Sequence, residues 1–453
     1  MAEHGTPLQS FGPTEAHNAL VGNQFSGHTS INFQGKLECL RSLAFREINA
    51  RRHDIVPAHP NTCDWLFDTP EFQQWLDPAY LQYHNGVFWI KGKPGAGKST
   101  LMKHAFQHFK RPVISDWHLV SYFFNARGEA LEKTPLGMLR SIVYQLLLTD
   151  DAMYEHFRPY YLTANLEGDW QWRQSELQDF LRWVVTQPLS KPFLLLIDAL
   201  DECNESDVRD VVKFLESLSI LASQAKTRLK ICLSSRHYPS ITIRKAVELT
   251  VENSADHEKD ISKYINEELA VIDVDIISEI RRKADGIFLW VVIVVSMLNK
   301  AYDEGQVEAM RATLEEVPAD LEAMFSAILS KDMSNAAETV RMLQWVLLSL
   351  RPLTPQELFA ATVGTTLPTS DLIQRRITTS SKGLIEIRKE DADSVQFIHS
   401  SVRDFLFQYN RLQILDATLG PEPFATIHAR LWVRCWSIVK EAVTTSACRE
   451  EIL

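Results

Sequence analysis

Nine residues, Gly92-Lys-Pro-Gly-Ala-Gly97-Lys98-Ser99-Thr100, restrict the folds open to this chain more than any other stretch. They fit G-x-x-x-x-G-K-[ST], and the pattern has a mechanism. Glycine lets the backbone curl so that successive N–H groups point inward at an anion. Gly92, Pro94, Gly95, Ala96 and Gly97 form that bend, and Lys98 to Thr100 open a helix whose positive end faces the same point. Lys98 is the residue expected to reach the β- and γ-phosphates, and the Ser99 hydroxyl the one to ligate magnesium. The preceding residues 86–91 are short, β-branched and aromatic, as a buried strand requires. Strand, glycine-rich bend and helix in that order predict a P-loop NTPase domain of α/β class, a parallel sheet with helices on both faces. It implies ATP or GTP with Mg2+ as ligands.

Apolar runs at 119–124, 193–197 and 229–233 are further strand candidates, with helical periodicity between them at 136–148 and 175–186. Alternation of this kind builds a covered parallel sheet. The run at 193–197 ends in Asp198, the form of a Walker B strand, whose carboxylate holds magnesium in such folds. Asp201 and Glu202 follow. Either they orient or deprotonate an attacking water, or they cap the next helix, where acids are favoured in any case. The run at 229–233 leads to Arg236, either a sensor of the γ-phosphate or one half of a salt bridge.

A chain of 453 residues exceeds one compact domain. Residues 1–35 are polar and read as a disordered tail. Within them, 21–33 mix Asn and Gly with spaced Val, Phe and Ile, a pattern able to stack with copies of itself as a signalling motif. The composition favours a plain flexible tail. Residues 36–85 read as a helical lead-in, 86–240 as the nucleotide-binding domain and 241–325 as a helical domain. Residues 326–412 place two short strand-like runs among helices, a winged-helix order, and 413–453 form a helical end. The net charge of −11 argues against nucleic-acid or anionic-membrane partners. The longest apolar run, 287–298, is too short to span a bilayer and reads as a buried helix. Neither a signal-peptide pattern nor a C-x-x-C pair occurs, which points to a cytoplasmic protein with reduced thiols.

Taken together, GKPGAGKST, LLLIDALDEC at 194–203 and ICLSSRHYP at 231–239 resemble the NACHT class of STAND signalling NTPases, fungal NOD-like receptors in particular, with a nephrocystin-like N-terminal region. AHPNTCDWLFDTPEFQQWL at 58–76, ADGIFLWVV at 284–292 and FIHSSVRDFL at 397–406 look familial too, so the likeness spans about 37–412. The resemblance implies a switch that rests with ADP or GDP and opens on exchange to the triphosphate. It then self-assembles and recruits a protein effector, in non-self recognition or cell death. His399 would then be a winged-helix histidine contacting the diphosphate. Two departures stand out: Ala199 sits where many NACHT proteins have Gly, and no C-terminal sensor repeats follow.

Overall fold

The computed structural model describes residues 27–45, 48–111, 117–126, 128–165, 171–188, 191–237, 243–330, 336–366, 368–388, 393–408 and 410–450. Five strands form one parallel sheet: β1 (Val87–Lys91), β2 (His118–Phe123), β3 (Phe193–Asp198), β4 (Leu229–Ser235) and β5 (Val247–Thr250), in the order β2-β3-β4-β1-β5. Every pairing is parallel. All residues of β3 and β4 are buried, which is why β3 reads as an unbroken apolar run from Phe193 to Ile197. β5 lies beyond the expected domain boundary at 240 and pairs with β1 at the sheet edge, Phe88 opposite Val247.

One face of the sheet packs on helices Pro135–Thr149, Gln174–Thr186 and Glu205–Ala225, around Leu139, Phe157, Phe180 and Leu195. The other face packs on helix Lys98–Lys110 and on Phe72 and Trp75 of the lead-in. Burying both faces is the condition for a parallel sheet. One residue of the central strand, Lys230, is cationic. Its ammonium donates to the Trp75 carbonyl, and burial lowers its pKa to about 8.

Among the described residues after β5 the regular elements are helices and one antiparallel hairpin, β6 (Ile385–Arg388) and β7 (Ser394–Phe397). The apolar run expected as a buried helix lies in Phe288–Asp303, with Trp290, Val291 and Leu298 buried. Residues from Ile261 to Ile427 share one apolar core, so the segments expected at 241–325 and 326–412 are packed together. Among the described residues no helix is long and apolar enough to cross a membrane.

The expected disordered tail at 1–35 is corrected at its C-terminal end, where a helix runs Gly27–Leu43. The latter part of the candidate stacking motif therefore has helical backbone; residues 21–26 of it lie outside the described residues.

A phosphate cradle facing a two-sided cavity

The cradle joins the carboxyl end of β1 to helix Lys98–Lys110, the edge of a parallel sheet where ligands bind. Gly97 caps that helix with φ 95° and offers no side-chain cap, so the first N–H groups keep their capacity for an anion. A Cβ on Gly97 would meet no atom within 4 Å, so the bend faces open space there. Gly95 is confined instead: a Cβ would stand 2.9 Å from Leu289 Cβ. The Lys98 ammonium donates to the carbonyls of Gly92 at 2.8 Å and Lys93 at 2.9 Å. Burial lowers its pKa, opposed chiefly by the Asp201 charge.

Asp198 ends β3 and is wholly buried. Its Oδ1 accepts from the Ser234 hydroxyl of the neighbouring strand, and the same hydroxyl accepts from Ala199 N at 2.9 Å. Burial lifts the carboxyl above the usual range, against hydrogen bonds from Ser234 and Ser99 and the Arg51 charge. Asp198 Oδ2 has no hydrogen-bond partner among the described residues. A buried carboxylate oxygen left open beside the cradle serine suits a hard cation with oxygen ligands. The donor set fits Mg2+ held by Ser99 and Asp198, which would neutralise phosphate charge beside Lys98. Ala199, after the carboxylate, takes φ 55°. Glycine takes such left-handed backbone without the steric cost that a side chain brings.

Asp201 and Glu202 sit at the same sheet edge with different duties. Asp201 clasps Arg236, accepting from its backbone N and its Nε, each at 2.9 Å. Glu202 accepts from Ala126 N at 3.0 Å and lies 3.9 Å from Arg51 Nη2. Arg236 also reaches across to the helix after the hairpin, pairing with Asp404 at 2.6 Å and donating to Ser400 Oγ at 3.1 Å. Burial works against its cation, but Asp201 and Asp404 outweigh that and hold its pKa above the ordinary value. Arg236 thus makes a salt bridge that joins the sheet edge to residues about 400, while still bordering the cavity. His399 caps helix Ser400–Phe407, and its Nδ1 accepts from Ser401 N at 3.1 Å. In the neutral ring the proton then sits on Nε2.

The cradle from Pro94 to Thr100 borders one cavity of about 1180 Å3, together with Ala199, Asp201, Glu202, Ser234, Arg236, His399 and Ser400. The cradle, Asp201, Glu202 and Arg236 form one side. Ile55–His59, Thr62 and Cys63 of the lead-in, the helix from Phe288, and Leu384, Glu386 and Arg388 of the hairpin region with His399 form the others. Sequence reasoning missed the groups that pin the cradle. Glu252 Oε2 accepts from Lys93 N at 3.1 Å, Leu289 N donates to Gly95 O at 3.0 Å, and Lys93 Nζ pairs with Asp285 at 2.5 Å. The only signal was the ADGIFLWVV run, whose Asp285 and Gly286 both take positive φ where it abuts the cradle.

Comparison with known proteins agrees on the location. A family model described as nephrocystin 3, N-terminal, matches residues 61–236, from the lead-in through the cradle to Arg236. No curated protein matches the chain. Among solved structures, Drosophila ORC bound to DNA is similar at TM-score 0.36 and 14% identity, covering 81% of this chain and 93% of that one. A Walker-type ATPase of Pyrococcus abyssi gives 0.35 and 14% over 78% and 99%, and Cdc6p from Pyrobaculum aerophilum 0.37 and 13% over 84% and 97%. Likeness at this level supports nothing beyond itself. The motif, the parallel sheet and the cradle beside a buried strand-end carboxylate are those of a P-loop nucleotide-binding fold.

Proposed function

We propose that this chain is a nucleotide-dependent switch of the NACHT class. It takes ATP or GTP with Mg2+ in the cavity and rests with the diphosphate. The observation that carries the reading is that one cavity is walled on one side by the phosphate cradle and on another by His399 and the hairpin. A ligand there touches both walls, so its phosphate count biases how they pack. The hairpin and its helices act as a winged-helix lid, with Arg236, Asp404 and Ser400 as the contact to be released on opening. The opened form assembles with its own copies and recruits a protein effector, by resemblance in fungal non-self recognition or cell death.

The nucleotide set free on denaturing the purified protein tests this reading. Stoichiometric ADP or GDP supports it, with base and phosphate number read together, and Lys98→Ala protein should release none. Wild-type protein that neither carries nor takes up nucleotide would end it.

A second reading, a scaffold that binds nucleotide without hydrolysing it, draws support from the two candidate catalytic carboxylates. Asp201 is taken up by Arg236, and Glu202 by Ala126 N. Phosphate release that is present in wild type and absent in Lys98→Ala selects the slow NTPase; retained diphosphate with no turnover selects the scaffold.

A further inference from the structure

We propose that Arg51, on the helical lead-in, reads the terminal phosphate of a bound triphosphate and makes the site prefer triphosphate over diphosphate. The inference rests on the nucleotide reading above and adds a residue from outside the cradle, the Walker B strand and the strand bearing Arg236.

Arg51 is 8% exposed and borders the cavity together with Ser99, Thr100 and Glu202. Its Nε has no hydrogen-bond partner among the described residues. Among the described residues its one ion pair is loose, Nη2 to Glu202 Oε1 at 3.9 Å, beyond hydrogen-bond reach. A guanidinium carries five donors, and burying it without matching acceptors is costly. The arrangement makes sense as half of a pair whose other half arrives with three acceptor oxygens. Planar, bidentate recognition of phosphate is what arginine does best.

Its neighbour explains how it is held there. Arg52 donates to Ser121 Oγ at 2.7 Å on β2 and lies over the Phe106 ring at 4.1 Å, on the cradle's own helix. The short helix Ala50–Asp54 is thereby anchored to both the sheet and helix Lys98–Lys110. Arg51 is left on the cavity side, near Asp198 and Glu202, whose strand end marks the magnesium and terminal-phosphate end of the site. A diphosphate ends short of that point. Arg51 therefore contributes to one ligand and not to the other.

The test is titration of wild type, Arg51→Ala and Arg51→Lys with a fluorescent diphosphate and a non-hydrolysable triphosphate, each as adenine and guanine forms, with Mg2+. Circular dichroism checks folding, and Lys98→Ala serves as the variant that loses both ligands. Losing one charge-assisted contact should cost Arg51→Ala about tenfold or more in triphosphate affinity, with diphosphate affinity unchanged within about twofold. Arg51→Lys should fold as wild type and recover part of the loss, since it keeps the charge but not the fork. Equal weakening of both ligands would make Arg51 merely structural, and equal strength for both would remove it from the site; either overturns the proposal. Wild type that binds neither ligand fells the nucleotide reading itself, and this inference with it.

Discussion

Alanine at Gly97 separates the work of the cradle from the stability of the chain. Gly97 has φ 95°, and a Cβ there would meet no protein atom within 4 Å. An L-residue held in left-handed backbone pays about 1–2 kcal/mol. The stiffer unfolded chain returns about 0.4–1 kcal/mol. The net loss is about 1 kcal/mol, a fall of about 2–4 °C in Tm for a domain of this size. Ligand binding should suffer far more, because the methyl stands in the space the bend opens to an anion. Loss of one charge-assisted hydrogen bond, about 1.5–3 kcal/mol, lowers affinity about tenfold to a hundredfold. Gly305 supplies the matched control: φ 75°, again nothing within 4 Å of a Cβ, and a position past the far end of helix Phe288–Asp303, whose start touches the cradle at Leu289. Gly305→Ala should lower the melting temperature by a similar amount and leave affinity alone. The assay is thermal melting of nucleotide-free protein beside titration with a fluorescent triphosphate. Wild-type affinity in Gly97→Ala, or equal loss of affinity in Gly305→Ala, would refute the reasoning.

Two further outcomes follow from single side chains. His399→Leu should speed nucleotide exchange or raise self-association, measured by release of labelled diphosphate and by light scattering; unchanged exchange and mass would count against a latch at His399. His84 is wholly buried, its Nδ1 accepts from Gly86 N at 2.9 Å, and burial, with Lys230 adding, lowers its pKa from 6.5 to about 4. The unfolded chain takes that proton first as pH falls. The stabilising contribution is therefore whole above pH 6.5 and is lost as pH drops towards 4, amounting to about 2 kcal/mol by pH 5. Denaturant titrations at pH 7.5 and 5 should show His84→Asn with a pH slope shallower by about that amount, and an unchanged slope would rule the histidine out.

The cradle, β1, β3, β4 and the hairpin were legible in the sequence because each is written in contiguous residues. A strand covered on both faces is an unbroken apolar run, as FLLLID shows, and a phosphate-binding bend needs glycines at fixed spacing. β5 escaped because an edge strand of four residues, VELT, is half solvated and carries too little apolar pattern to stand out after residue 240. The helix from Gly27 escaped because its sequence is largely polar, although Cys39, Leu40 and Leu43 enter the core.

The sequence by itself determined that a phosphate cradle exists and which carboxylate closes its strand, since local backbone chemistry suffices for both. Only the tertiary structure decided what surrounds the cradle: Glu252 and Leu289 pinning the loop, Arg51 brought in from the lead-in, and Arg236 tied to Asp404. Those partners lie tens to hundreds of residues apart in the chain. Their meeting depends on how separate apolar surfaces pack, and no short stretch of residues encodes that.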